Sequence, residues 1–317
     1  MTNQTVVAIG NFDGVHLGHR QVLAQAQQQA PDLPLVAVTF WPHPIAVLRP
    51  ERAPELLCGL SMRIDLLKKA GAHEVRVVEF TQRVAQWTPE NFVEQVLVPL
   101  NPRVVVVGEN FAFGHRAAGT VATLRDLSRG RYEVVVLPLV ADDSALSSTR
   151  VRAALAQGDV HGAAAILGRP YRFSGIVVMG DQRGRTLGFP TANLTVPRGH
   201  ACPADGVYAG WVTRLDDPDA ERWPAAVSVG SNPTFDGAER RVESYVLDRT
   251  DLELYGVPIG VDFVARLRGQ VKFDSLDALV TQMNSDVAAT RTVLAEARPG
   301  GKPGQAPSTQ PSDPART

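Results

Sequence analysis

An apolar run, Val6 to Ile9, is followed directly by the glycine-rich segment Gly10 to His19. The run is typical of a buried β-strand, and the segment predicts a tight turn that opens a helix ending near Gln29. His16 and His19 lie where that helix begins. A helix N-terminus binds phosphate well, and imidazoles beside it can donate hydrogen bonds to charge developing at phosphorus. This order of elements predicts an α/β fold with a nucleotide site.

The glycine spacing excludes the two commonest phosphate loops. Glycines at positions 10, 14 and 18 do not form G-x-G-x-x-G, and no G-x-x-x-x-G-K-[ST] occurs in the chain. The segment instead resembles the His-x-x-His signature of the α/β nucleotidyltransferase superfamily, whose members attack the α-phosphate of a nucleoside triphosphate. The alternative is that both histidines only cap a helix. The strand, the glycines and Asp13 favour the nucleotidyltransferase interpretation.

Composition limits the possible partners and compartment. A chain of 317 residues with a 44% hydrophobic content is long enough for two domains. The net charge of −1 predicts no nucleic-acid partner. Cys58 and Cys202 are far apart and form no C-x-x-C, which favours a reducing cytoplasm and argues against zinc. Residues 2–5 are polar and no apolar stretch reaches ~18 residues, so we expect no membrane association.

Up to about residue 150, apolar runs alternate with helical patterns. This alternation predicts a Rossmann-like parallel sheet, whose ligands bind at the carboxyl ends of the strands. The predicted strands are 5–9, 35–40, 75–80, 103–108 and 133–140, and the predicted helices lie near 19–30, 61–71, 89–98 and 120–129. An alanine-rich connector, 148–167, is predicted to form two short helices interrupted at Gly158-Asp159.

From Arg169 onward the pattern changes to short β-like runs separated by turn residues. Such a pattern predicts an antiparallel β-barrel. The runs are 171–178, 206–213, 225–229, 242–248 and 259–267, followed by a final helix at 275–297. The tail 298–317 has no large apolar residue, so we expect it to be disordered. The predicted domains are 1–167, including the connector, and 168–297.

A second dense motif extends from Gly184 to Asn193. Gly184 and Arg185 predict a mobile loop that can approach the phosphates of ATP. Thr191 and Asn193 offer two hard oxygen donors two residues apart, which on a strand would point the same way. Such donors suit Mg²⁺ when nucleotide phosphates supply its other ligands. The alternative is a Gly-Pro turn before an ordinary strand.

The motifs now quoted resemble two enzyme families joined in one chain. Pro190 to Asn193, with later motifs, resembles riboflavin kinases across residues 169–296, and the first half resembles FMN adenylyltransferases. The chain is therefore similar to the bifunctional prokaryotic riboflavin kinase/FMN adenylyltransferases, or FAD synthetases. The later kinase motifs are Gly206 to Tyr208, Asn232 to Phe235, Val242-Glu243 and Leu254 to Gly256; those of the first half are Gly10 to His19, Thr39 to Pro44, Gly108 to Gly114 and Ser147 to Arg152.

For the first half, the resemblance implies adenylyl transfer from ATP to FMN, with FAD as product. The FMN phosphate is already ionised, so the reaction needs charge stabilisation rather than a base. The resemblance assigns catalysis to His16, His19 and Arg152. It implies that the flavin contacts His43, Asn110 and Phe111, and that ATP contacts Gly10, Asn11, Phe12, Asp13, Gly18, Ser148 and Thr149. For His43 two alternatives stay open, a contact with ATP and a purely structural role in the turn.

For the second half, the resemblance implies phosphorylation of riboflavin to FMN by ATP. The attacking alcohol must lose a proton, and the resemblance assigns the general base to Glu243. Thr191 and Asn193 would hold Mg²⁺, and Arg268 would contact the flavin. The sequence departs from the family at Gln270, where an acid is usual, and at Asn110, where many relatives have aspartate.

Three other functions are compatible with parts of the pattern. One is an adenylyltransferase whose barrel binds flavin without catalysis, which the presence of Glu243, Thr191 and Asn193 disfavours. Another is a flavin-binding protein that has lost catalysis, although both sets of reactive residues are present. The third is a tRNA synthetase, since that class also carries His-x-x-His, but no anticodon-binding domain is evident.

Overall fold

The computed structural model describes residues 4–138, 146–180, 188–234 and 237–297. Gly184, Arg185 and the predicted tail 298–317 therefore lie outside the described residues.

The first half contains a five-stranded parallel sheet, as predicted. The strand order is β3-β2-β1-β4-β5, so the chain adds β2 and β3 on one side of β1 and then β4 and β5 on the other side. Ligands of such sheets bind at the carboxyl ends of the strands, near the point where the order switches sides. β1, most of β2 and the centre of β4 are buried, which explains their continuous apolar runs. The strands are β1 (Thr5–Ile9), β2 (Leu35–Trp41), β3 (Glu74–Glu79), β4 (Pro102–Gly108) and β5 (Glu133–Leu137).

Helices fill the crossovers between these strands. The predicted helix 89–98 begins where Thr88 accepts a hydrogen bond from the Asn91 N–H at 3.3 Å, and it continues as a π turn, Val93–Leu97, and a 3-10 turn, Val98–Leu100. α2 and α4 were not predicted, because four or five residues are too few to show helical periodicity. The helices are α1 (Leu17–Gln29), α2 (Pro44–Leu48), α3 (Leu60–Lys69), α4 (Gln82–Ala85), α5 (Pro89–Phe92) and α6 (Val121–Ser128), with 3-10 turns at Pro50–Arg52 and His115–Ala117.

The second half is an antiparallel sheet of six strands in the order β6-β11-β8-β9-β10-β7. A bridge between Val178 and Asn193 joins the two edges, so the sheet curls into the predicted barrel. β7 was not among the predicted strands, because its polar residues Thr191 and Asn193 hide its β pattern. The strands are β6 (Tyr171–Ile176), β7 (Thr191–Thr195), β8 (Gly206–Arg214), β9 (Arg222–Thr234), β10 (Gly237–Val246) and β11 (Pro258–Arg268).

The connector helices, α7 (Ser148–Gln157) and α8 (Val160–Leu167), share a core with the barrel. Val151 and Leu155 are buried in the same apolar cluster as the barrel residues Tyr171 and Phe173. The predicted boundary at 167/168 therefore divides a continuous core. The final helix, α9 (Leu276–Glu296), begins at Ser275, whose hydroxyl accepts from the Ala278 N–H at 3.1 Å.

Candidate active sites

The loop between β1 and α1 has an unusual backbone. Phe12 and Val15 have φ angles of 50° and 41°, in the left-handed region where only Gly14, at 78°, is unstrained. Each such non-glycine residue costs about 1–3 kcal/mol and persists only when its surroundings hold it. The loop is therefore a strained element maintained by tertiary contacts.

His16 and His19 lie together at the start of α1, as predicted. His16 is the N-cap residue, and its Nδ1 accepts a hydrogen bond from the His19 N–H at 3.4 Å. The two rings stack with centroids 3.6 Å apart, and the edge of His19 meets Phe12 at 5.3 Å. The helix N-terminus and both imidazoles therefore form one polar surface.

Both imidazoles are held in the neutral form. Burial lowers the pKa of His16 to about 4, although the Asp13 carboxylate opposes this shift. Burial also lowers the pKa of His19 well below its usual value. Neutral imidazoles donate hydrogen bonds without carrying a fixed charge, so the positive charge of this site must come from arginine.

Asp13 lies at the centre of a buried charge network. It is 3% exposed and accepts hydrogen bonds from Arg63 at 3.1 Å and from Arg152 at 2.5 Å. The Leu57 N–H also donates to Asp13, at 3.1 Å. These partners engage the carboxylate, so Asp13 holds the arginines in place; its predicted contact with ATP stays a prediction. Sequence reasoning missed Arg63, a lone arginine in α3 that is fully buried.

The motif Ser147 to Arg152 lies beside this loop. The Ser148 hydroxyl donates to the Asp13 carbonyl at 2.9 Å, and Arg152 also donates to the Glu55 carbonyl at 2.5 Å. Ser147 caps α7 by accepting from the Arg150 N–H at 3.2 Å, and Thr149 is exposed in the first turn. The N-termini of α1 and α7 thus meet around Asp13, although the two helices are distant in sequence.

A cleft of about 970 Å³ lies at the carboxyl ends of the parallel strands. Gly10, Asn11, Asn110 and Phe111, all predicted site residues, line it. Aromatic side chains form much of its wall, as a planar ring system would require: Phe40, Phe80, Trp87, Phe92 and Phe113. Sequence reasoning missed most of this wall, because its rings come from separate strands and loops.

His43 occupies a capping position rather than the cleft wall. It is 7% exposed, and its Nδ1 accepts from the Ile45 N–H at 3.2 Å at the start of α2. Burial lowers its pKa. Pro44 and Ile45, which follow it, line the cleft.

In the barrel, strand register brings together three residues of the second predicted site. Glu243 in β10 lies directly opposite Asn193 in β7, and Tyr245 lies opposite Thr191. Residues opposite one another on antiparallel strands share a face, so Glu243, Asn193 and Thr191 are neighbours. The Asn193 Nδ2 donates to the Thr191 Oγ1 at 3.2 Å. The two oxygen-bearing side chains therefore point the same way, as predicted.

A second cleft, of about 760 Å³, adjoins Thr191 and Asn193, and Glu243 is not among the residues that line it. Thr191 and Asn193 line it together with Ser244 and the segment 249–255. Gly180 also lines it and lies against Asn193, where an added Cβ would come within 2.6 Å of the Asn193 side chain. Because glycine has no Cβ, the Asn193 side chain can occupy the space next to Gly180.

Arg268 is bound to the final helix. Its Nε and Nη2 donate to Asp286 in α9 at 2.9 and 2.7 Å, a bidentate ion pair. Gln270, one of the two departures from the resembled family, donates to the Ser228 hydroxyl at 3.1 Å and to the Val229 carbonyl at 2.9 Å. The flavin contact predicted for Arg268 stays a prediction.

Family comparisons agree with this two-site arrangement. Residues 1–150 match the family described as FAD synthetase, and residues 167–294 match the riboflavin kinase family. A bifunctional riboflavin kinase/FMN adenylyltransferase from Bacillus subtilis is 35% identical over 89% of this chain and 90% of its own length. The chain belongs to this bifunctional family. The Escherichia coli K12 member is 34% identical over 93% of this chain and 94% of its own.

The protein is therefore a transferase with two activities. It phosphorylates riboflavin to FMN with ATP, and it adenylylates FMN to FAD with a second ATP. The alternative of a non-catalytic barrel is not supported, because the barrel itself matches the riboflavin kinase family.

A solved structure agrees with the fold of this family member. It is described as a macrolide-efflux protein from Streptococcus pneumoniae, has a TM-score of 0.78 and 34% identity, and covers 92% of this chain and 97% of that one. In the part of the chain that the structure describes, no helix combines the length and apolarity needed to cross a membrane.

Proposed function

We propose that Glu243 is the general base of riboflavin phosphorylation. Its carboxylate accepts the proton of the terminal ribityl hydroxyl as that oxygen attacks the γ-phosphate of ATP, and ADP leaves. The observation that carries this assignment is the β7–β10 register, which sets Glu243 opposite Asn193. A base must lie within reach of both the alcohol and the phosphates, and this register supports that position.

Thr191 and Asn193 would hold Mg²⁺ in the kinase site. Their side chains are adjacent hard donors, and the missing Cβ of Gly180 lets the Asn193 side chain take its position beside Thr191. Bound Mg²⁺ would neutralise charge on the β- and γ-phosphates. We further propose that Gly184 and Arg185, which lie outside the described residues, contact these phosphates.

The adenylyl site would use His16, His19 and Arg152 around the α-phosphate of ATP. Neutral imidazoles and the N-terminus of α1 would donate hydrogen bonds, and Arg152 would supply positive charge. The flavin ring of FMN would enter the aromatic cleft beside Asn110 and Phe111. Because the FMN phosphate is already ionised, it needs no base and only has to be aligned with the α-phosphate of ATP.

Two variants assayed for both products test these assignments. Glu243→Gln is expected to lower FMN formation at least a hundredfold and leave FMN-to-FAD conversion within twofold of wild type. His19→Ala combined with Arg152→Ala is expected to do the reverse. The matched control is Glu221→Gln, an exposed carboxylate just before β9, which should change neither rate. Loss of both activities from either variant in a folded protein would contradict two separate sites.

We also propose that the enzyme works in the cytoplasm on small molecules alone. Cys58 and Cys202 are both buried and free, which suits a reducing compartment. The net charge of −1 gives no broad basic surface for nucleic acid. Cell fractionation with activity assays would test the compartment.

A further inference from the structure

The strained loop before α1 is held through its own carbonyl groups. Arg63 donates to the Asn11 carbonyl at 3.0 Å, and Ser148 donates to the Asp13 carbonyl at 2.9 Å. Arg169 donates to the Gly14 carbonyl at 2.7 Å and to the Val15 carbonyl at 3.4 Å. The left-handed Val15 is therefore restrained by Arg169, and strain of this kind persists only under such restraint.

Arg169 comes from the other half of the enzyme. It follows the last connector helix and precedes β6 by two residues, within the range 167–294 that matches riboflavin kinase. Its contact with Gly14 joins residues 155 positions apart in the chain. The kinase half therefore contributes a side chain to the loop that the adenylyl half would use for ATP.

Among the described residues no carboxylate accepts a hydrogen bond from Arg169, although the Asp262 carboxylate favours its charged form through space. All its hydrogen-bond acceptors among the described residues are carbonyl groups, and its buried Nε has no partner there. Burial lowers the pKa of Arg169 to about 10, so it is charged at neutral pH, and that charge also lowers the pKa of His16. A desolvated cation with no carboxylate in hydrogen-bond contact is costly, and the negative charge of a bound triphosphate would compensate it.

We propose that Arg169 is a positioning residue of the adenylyl site, supplied by the kinase half. It clamps the Gly14–Val15 turn so that His16 and the N-terminus of α1 face the triphosphate of ATP. This inference rests on the proposed role of the His16 and His19 loop. It makes ATP binding for adenylyl transfer depend on a residue beyond the adenylyltransferase domain itself.

The test compares Arg169→Met, Arg169→Lys and Arg20→Met in the full chain. Arg20 is the matched control, because it donates to the Leu167 carbonyl at 3.0 Å, an acceptor that Arg169 shares, but its side chain makes no hydrogen bond to the Gly14–Val15 turn in the described chain. In Arg169→Met, we expect the KM for ATP in FAD formation to rise about tenfold or more, with the KM for FMN within twofold. Riboflavin kinase activity should stay within twofold and reports folding in the same molecule.

Arg169→Lys separates clamping from folding. Lysine keeps the charge but lacks the fork that reaches two carbonyls, so its KM for ATP should rise about threefold, between wild type and Arg169→Met. Arg20→Met should match wild type in both activities.

Several results would overturn the inference. These are a wild-type KM for ATP in Arg169→Met, an equal rise in Arg20→Met, or an equal fall in kinase activity. If Arg169→Met does not fold, a wild-type KM in Arg169→Lys overturns it instead. Failure of the proposed adenylyl site itself would appear differently, as unchanged FAD formation in His19→Ala with Arg152→Ala.

Discussion

At the scale of single residues, burial decides which groups carry charge in the adenylyl site. The Asp13 carboxylate forms ion pairs with both Arg63 and Arg152, so these three side chains together carry one more positive than negative charge. The histidines are neutral, because burial disfavours their protonated forms. In the proposed adenylyl site, arginine would therefore attract the triphosphate and imidazole would orient it, a division that the His-x-x-His spacing alone does not reveal.

The lowered pKa of His16 predicts a stability change with pH. Because its folded pKa is about 4 and its usual value is 6.5, the unfolded chain binds the proton more readily between these values. Stability from His16 is complete above about pH 6.5 and declines as pH falls toward 4. We expect this group to cost about 2 kcal/mol of unfolding free energy at pH 5 relative to pH 7.

Urea unfolding of wild type and His16→Asn at both pH values measures this effect. Asparagine is a good N-cap and does not titrate, so the variant keeps α1 capped. Its loss of stability on acidification should be smaller than that of wild type by about 2 kcal/mol. An identical loss in both proteins would show that His16 is not held neutral.

At the scale of elements, the pairing of β7 with β10 brings Thr191, Asn193 and Glu243, the residues of the proposed kinase site, onto one face of the sheet. Motif spacing places Thr191 and Asn193 on one side of a strand, but it does not place Glu243 beside them. The register does, since it pairs Glu243 with Asn193. The close approach of Gly180 to Asn193 then fixes how much room the asparagine has.

Gly180→Ala should therefore displace Asn193. An added Cβ would lie 2.6 Å from the Asn193 side chain, so the amide must move. We expect riboflavin phosphorylation to fall about tenfold or more, while FMN-to-FAD conversion stays within twofold. Gly175→Ala is the matched control, since its Cβ would meet Leu194 at an ordinary 3.5 Å. Equal kinase rates in the two variants would mean that Gly180 has no such role.

At the scale of the whole molecule, the connector ties the two catalytic halves together. Its apolar face lies in the barrel core, while Ser148 and Arg152 on α7 contact Asp13. Leu56, in the first half, exchanges backbone hydrogen bonds with Gly199 and Ala201 in the second. The halves thus share packing and polar contacts as well as a covalent link.

Fragments that differ only in the connector test where the domain boundary lies. We expect residues 146–317 to unfold at higher urea than residues 168–317, because only the longer fragment keeps Val151, Leu155 and Leu167 over the barrel core. Each fully buried leucine or valine contributes about 1.5–3 kcal/mol, so the difference should be several kcal/mol. Equal unfolding midpoints would favour the predicted boundary at 167/168.

The sequence by itself determined the parallel sheet, the antiparallel barrel, the two reactive motifs and most of the elements, but not α2, α4 or β7. Those features depend on local signals: apolar periodicity, turn residues and spacing within a few positions. Only the tertiary structure decided that Asp13 joins Arg63 and Arg152, that Glu243 faces Asn193, and that Arg169 reaches Gly14. These contacts join residues 50 to 155 positions apart. Local sequence patterns do not specify which of many distant side chains will make a given contact.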